Sequence, residues 1–133
     1  MMSREGISQE SYTRLQLFWL FTDEFFEKPE YVQMVIDGML ANPHPQPAHA
    51  YDRKLAALAG WDARDRLGQI TAPTLVLVGR EDILVPVKLS EELAARIPNA
   101  ELVTLEGGGH AFSGEISDKF NQASLEFLAK IGD

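Results

Sequence analysis

Two short stretches carry the residues best suited to chemistry. Gly79-Arg-Glu-Asp82 and Gly107-Gly-Gly-His110 each follow an apolar, β-rich run, and each ends on a group able to take part in proton transfer. A carboxylate that accepts a hydrogen bond from an imidazole fixes its tautomer and stabilises the imidazolium. That is the orienting half of a nucleophile–histidine–acid triad. In an open parallel sheet, functional groups collect just beyond the carboxyl ends of the strands. If the two runs pair as neighbouring parallel strands, both loops reach one edge of the sheet. The glycines suit this, because they allow close approaches and backbone angles that bulkier residues resist. As a bare pair, the residues fit a loop aspartate and a surface histidine equally well.

The elements that must position the pair follow from hydrophobic period. Thr74-Leu-Val-Leu-Val78, bounded by Pro73 and Gly79, predicts a parallel strand buried on both faces. Val87 to Ile97 has helical spacing at Leu89, Leu93 and Ile97 and stops at Pro98-Asn99. Glu101-Leu-Val-Thr-Leu105 predicts a half-polar strand near a sheet edge. Ser117 to Ile131 predicts an amphipathic helix with Ser117 as its N-cap. The fold class is therefore α/β, with a parallel β-α-β-α unit over residues 67–133.

Residues 1–66 form a helical segment without a strand signal. Leu15, Phe18, Trp19 and Phe26 fall near helical spacing, as do Val32, Val35, Ile36 and Met39. Pro29 suits a helix first turn. Asn42-Pro-His-Pro-Gln-Pro47 breaks any helix. A short helix is expected over Ala50 to Ala59, ending at Gly60, with a turn or helix over Trp61 to Leu67.

Composition narrows the function classes. With 133 residues, of which 45% are hydrophobic, the chain can bury a modest core. Twelve basic against twenty acidic residues give a net charge of −8, which argues against nucleic acid or an anionic membrane surface as partner. The absence of cysteine excludes disulfides, thiolate metal sites and cysteine nucleophiles. The polar start, MMSREGISQESYTR, does not read as a signal peptide, and Gln16, Thr22, Asp23 and Glu24 interrupt the greasiest stretch. A cytoplasmic location is the default expectation.

The stretch Leu67-Gly-Gln-Ile-Thr-Ala-Pro-Thr-Leu-Val-Leu-Val-Gly-Arg-Glu-Asp-Ile-Leu-Val-Pro86 resembles the acid-bearing segment of α/β-hydrolases. Ile97-Pro-Asn-Ala, Glu106-Gly-Gly-Gly-His110, Glu115 and Phe127-Leu128 are similar to that family's C-terminal end. The resemblance implies that Asp82 is the triad acid and His110 the general base. It places Glu115 at a commonly acidic position with a structural role. The helical segment resembles the cap inserted before the acid-bearing strand, which makes Trp19, Phe25, Phe26 and Trp61 candidates for lining a substrate pocket, with plain packing the alternative. The activity implied is hydrolysis of an ester, a lactone or a carbon–carbon bond in a small molecule.

The nucleophile is a different matter. The family's G-x-S-x-G elbow is not matched by any of the seven serines. Ser113 lies in Ala-Phe-Ser-Gly-Glu, and Ser8 has Glu10 where glycine is required. Asp62, the alternative used by dehalogenase-like relatives, is followed by Ala63 and Arg64 in a helical context, and no His-Gly oxyanion segment occurs. We therefore expect no nucleophile here, and inactivity alone or activity only with an N-terminal half in trans. The alternative is a non-catalytic homodimeric ligand-binding or interaction module. A third reading uses substrate water or Ser113. An unpaired Thr74–Val78 edge predicts association, with an N-terminal hydrolase half or with a second copy paired antiparallel. No cofactor is implied. His44 and His49 read as a solvated loop rather than a metal site, and Gly107-Gly-Gly109 lacks a phosphate-binding fingerprint.

Overall fold

The computed structural model describes residues 6–132. Helix α1 (Gln9–Leu20) starts at Ser8, whose hydroxyl accepts the Ser11 amide at 3.1 Å, so one of the serines above is an N-cap. Two further helices, α2 (Asp23–Phe26) and α3 (Pro29–Leu40), fold back on α1. Pro29 opens α3, where its missing amide hydrogen costs nothing. After the proline loop come α4 (Ala48–Ala59) and a 3-10 turn (Arg64–Gln69).

The helical segment packs around Leu17, Phe25 and Ile36, flanked by Phe21, Phe26, Val32, Val35 and Met39. The buried face of α1 is Thr13 and Leu17, one helical turn apart, rather than Leu15, Phe18 and Trp19. Residue 18 lies about 100° round the helix from Leu17. Phe18 therefore turns outward and stacks on Phe26 at 5.2 Å between ring centroids.

The second part is β1 (Thr74–Gly79), α5 (Val87–Arg96), β2 (Ala100–Leu105), α6 (Phe112–Glu115) and α7 (Ser117–Ile131). The strands are parallel, in register from Thr74 opposite Ala100 to Gly79 opposite Leu105. Helix α5 packs on both strands and α7 on β2. Val76 and Val78 are buried, while Leu75 and Leu77 are only half-buried. The double-sided burial read from the apolar run is thus partial, because α7 covers β2 rather than β1. Ser117 is the first residue of α7, not its cap. The chain enters α7 directly from α6, leaving Ile116 at the cap position. Exposed ion pairs, Lys130 with Glu101 at 2.8 Å and Arg80 with Glu106 at 2.9 Å, tie α7 to β2 and the post-β1 loop to the post-β2 loop. Pairs of this kind contribute roughly 0–1 kcal/mol each.

Among the described residues the sheet has two strands, so the outer edge of β1 is unpaired. The chain's accessible surface is 9403 Å². A compact monomer of 14.8 kDa exposes about 7,000 Å². The excess includes Ile83, Leu84, Leu89 and Leu93 in and beside α5, and Leu125, Leu128 and Ile131 on α7. No described helix is long and apolar enough to cross a membrane.

Candidate active site

Parallel strands in register send their C-terminal loops off the same edge, and the backbone stitches those loops together. Arg80 N donates to Leu105 O at 2.9 Å, and Glu81 N donates to Gly108 O at 3.0 Å. Asp82 N closes a turn onto Gly79 O at 3.2 Å, which aims the Asp82 side chain inward, where the residue is 7% exposed. Its Oδ1 accepts the amides of Leu84 at 2.9 Å and Val85 at 2.7 Å. Its Oδ2 lies 2.9 Å from His110 Nδ1. With Nδ1–H donating to this carboxylate, Nε2 keeps its lone pair and can accept a proton.

Two glycines make this approach possible. Gly107 takes φ +78°, the left-handed region, to reverse the chain after β2. A Cβ on Gly79 would stand 2.2 Å from Gly108 O and 2.4 Å from Gly109 O. Backbone atoms at that distance cannot yield as a flexible side chain would. Gly79→Ala is therefore expected to destabilise the chain by about 1–3 kcal/mol or more. Gly68→Ala, with open space around the new methyl, is the matched control. Equal melting temperatures for the two variants would contradict the packing described.

The histidine turn also rests on the helical segment. Ala111 N donates to Leu20 O at 2.8 Å. Glu115 Oε2 accepts Gly109 N at 2.9 Å, and its Oε1 accepts both the Thr22 amide, at 2.9 Å, and the Thr22 hydroxyl. An open cavity of about 390 Å³ lies where the parts meet, lined by Trp19, Phe21, Thr22, Asp23, Glu81, Ile83, Gly109 and His110. The His110 side chain is 36% exposed toward it.

Of the four aromatic candidates, Trp19 lines this cavity. Phe25 is buried in the helical core and Phe26 packs against it. Trp61 is 67% exposed in the segment between α4 and the 3-10 turn. Phe21, Thr22 and Ile83 were not singled out in the sequence. Thr22 is visible there only as a polar break in an apolar run, and Ile83 only as the neighbour of the acid. Ser113 sits exposed on α6. His44 and His49 are exposed, and no group of three or more candidate metal ligands occurs among the described residues.

Asp62 is committed elsewhere. Arg64 Nε lies 3.1 and 3.0 Å from its two oxygens, and the Arg64 amide donates to Oδ1 at 2.9 Å. The guanidinium hydrogen bond, then the amide, hold this carboxyl down to about 2 from an ordinary 3.8. A depressed folded-state value means that any stabilisation from the pair is present above the ordinary value and is lost as pH falls through about 2. A carboxyl NMR titration of Asp62 should show that low midpoint, and Arg64→Ala, which removes the guanidinium but keeps the amide donor, should raise it part of the way toward the ordinary value. A midpoint that does not move would contradict the pairing.

Comparison with known proteins identifies the family and the fold. The family model described as the alpha/beta hydrolase fold matches residues 10–115. The chain belongs to the α/β-hydrolase family. As a hydrolase-family chain it is 37% identical over 123 residues to the candidate carbamate hydrolase RutD of Serratia proteamaculans (strain 568), covering 91% of this chain and 45% of that protein. It is 36% identical over 108 residues to 2-hydroxy-6-oxo-6-phenylhexa-2,4-dienoate hydrolase of Burkholderia cepacia, covering 78% of this chain and 38% of that one. Among solved structures, a thermophilic esterase from Thermogutta terrifontis superposes with a TM-score of 0.77 at 28% identity, covering 96% of this chain and 45% of that one. The chain thus spans less than half the length of each of these relatives. Its architecture is that of a C-terminal part of the hydrolase fold, helical before the parallel strands.

Proposed function

We propose that these residues supply the acid and the base of a hydrolytic triad, Asp82 and His110, to a nucleophile and oxyanion hole on a polypeptide segment outside them. The observation that carries the reading is the buried Asp82 carboxylate, fixed by two amides and set 2.9 Å from His110 Nδ1 beside a cavity. In this arrangement His110 Nε2 takes the proton of an attacking hydroxyl, Asp82 stabilises the imidazolium, and the same Nε2 returns the proton to the leaving group. The reaction class is hydrolysis of an ester, lactone or carbon–carbon bond of a small molecule. The relatives named as esterase and dienoate hydrolase favour that class. Trp19 and Phe21 supply the apolar wall that this chain contributes to the pocket.

The unpaired β1 edge and the surplus surface favour a covering partner. A complementary hydrolase segment would add its strand beside β1. The same observation also suits a second reading, a catalytically silent homodimer joined antiparallel through β1. Hydrolysis of p-nitrophenyl butyrate separates the two. The chain alone should match the buffer rate. The chain mixed or co-expressed with the unmatched part of the Serratia relative should exceed it. A light-scattering mass of one chain plus that segment should accompany the activity. A stable dimer of this chain that excludes the segment would support the homodimer instead.

A further inference from the structure

We propose that Glu115 is the positioning residue of the histidine turn: its carboxylate clamps the peptide preceding His110 to the α1–α2 junction, and so holds the imidazole on Asp82. Helix α6 is a single turn, and it brings Glu115 back beneath the residue before the histidine. Oε2 accepts Gly109 N at 2.9 Å, while Oε1 accepts the amide of Thr22 at 2.9 Å and its hydroxyl. Thr22 is 6% exposed and stands between α1 and α2. The residues on both sides of His110 are therefore tethered to the end of α1. Ala111 is held directly by Leu20 O at 2.8 Å, and Gly109 is held through Glu115.

Gly109 is pressed close at the same place, since a Cβ there would stand 2.9 Å from Leu20 O. A turn fixed on both flanks leaves the imidazole little freedom to rotate away from Asp82. Hydrogen bonds to a carboxylate are about twice as strong as neutral ones, which suits this residue type to the clamp. Removing it leaves Ala111 as the remaining tether and strips partners from the Gly109 amide and from both Thr22 donors.

The clamp gives Glu115 a task distinct from general stability. Its significance rests on His110 being the base, but its readout needs no turnover. Long-range proton–nitrogen NMR correlations show which imidazole nitrogen carries the proton when the ring is neutral, and His110→Ala assigns the His110 signals against those of His44 and His49. The wild-type chain should show mainly the Nδ1–H form at His110. Glu115→Ala should convert it to a mixture with substantial Nε2–H. Glu115→Gln, with one acceptor for donors formerly shared between two oxygens, should give an intermediate mixture. Thr22→Val, which leaves the Gly109 bond intact, should keep the wild-type tautomer while lowering the melting temperature.

Should Glu115→Ala not fold, the Gln variant decides. A wild-type tautomer ratio in whichever Glu115 variant is folded would overturn the proposal and reduce Glu115 to a structural brace. If complementation yields no hydrolysis while the tautomer shifts as described, the catalytic reading fails and the positioning role stands.

Discussion

Asp82→Asn in the complemented hydrolase should lower kcat/KM for a p-nitrophenyl ester by about 10⁴-fold. The reason is visible in how the carboxylate is held. Oδ1 accepts the Leu84 and Val85 amides, so an asparagine must place its carbonyl oxygen there and turn its NH₂ toward His110 Nδ1. Facing a donor, Nδ1 becomes an acceptor and the proton moves to Nε2. The nitrogen that should receive the nucleophile's proton is then already protonated. All three hydrogen bonds survive with the proton reversed, so the folded structure should change little. A loss of about 10⁴-fold corresponds to roughly 5.5 kcal/mol of transition-state stabilisation. The asparagine variant therefore separates chemistry from architecture. Activity should collapse while the melting temperature stays within a few degrees of wild type. An Asp82→Asn enzyme with near-normal kcat/KM would remove Asp82 from the triad.

The second large effect lies in the helical core. Ile36 is 0% exposed and Leu17, its neighbour in the same cluster, 1% exposed. Only a few residues in that cluster are fully enclosed, so each carries a large share of what joins α1 to α3. Ile36→Ala removes three carbons from a site flanked by aromatic rings that cannot close the gap without moving the backbone. The expected cost is about 2–5 kcal/mol, which for a chain of this size lowers the melting temperature by roughly 10 °C. Met34→Ala on the same helix is the control, because Met34 is 60% exposed. Comparable losses at the two positions would show that the α1–α3 packing is wrong.

The site was legible in the sequence where chemistry and chain punctuation coincide. Asp82 and His110 each follow a β-rich run and a glycine, and parallel pairing of the two runs is enough to bring them together. The continuous apolar run at Thr74–Val78 likewise announces a strand. What the pattern hides depends on contacts far apart in sequence. Which residues of α1 are buried was not readable, because Phe18 and Trp19 are as apolar as Leu17, and only the position of α3 distinguishes them. Helix α6 is a single turn, too short to show a period. The bond from Glu115 to Thr22 spans 93 positions, and no local rule connects them. The aromatic candidates show the same limit. Their size marks all four as important, but the fold distributes them among cavity, core and surface.

The most direct test of His110 as the base for an external nucleophile is labelling with a fluorophosphonate, which bonds covalently only to an activated serine. With the complementary segment present, mass spectrometry should find the label on that segment. The signal should fall to background when this chain is omitted or carries His110→Ala. Label on Ser113 of the isolated chain would contradict the account, as would label on the segment that is indifferent to His110→Ala.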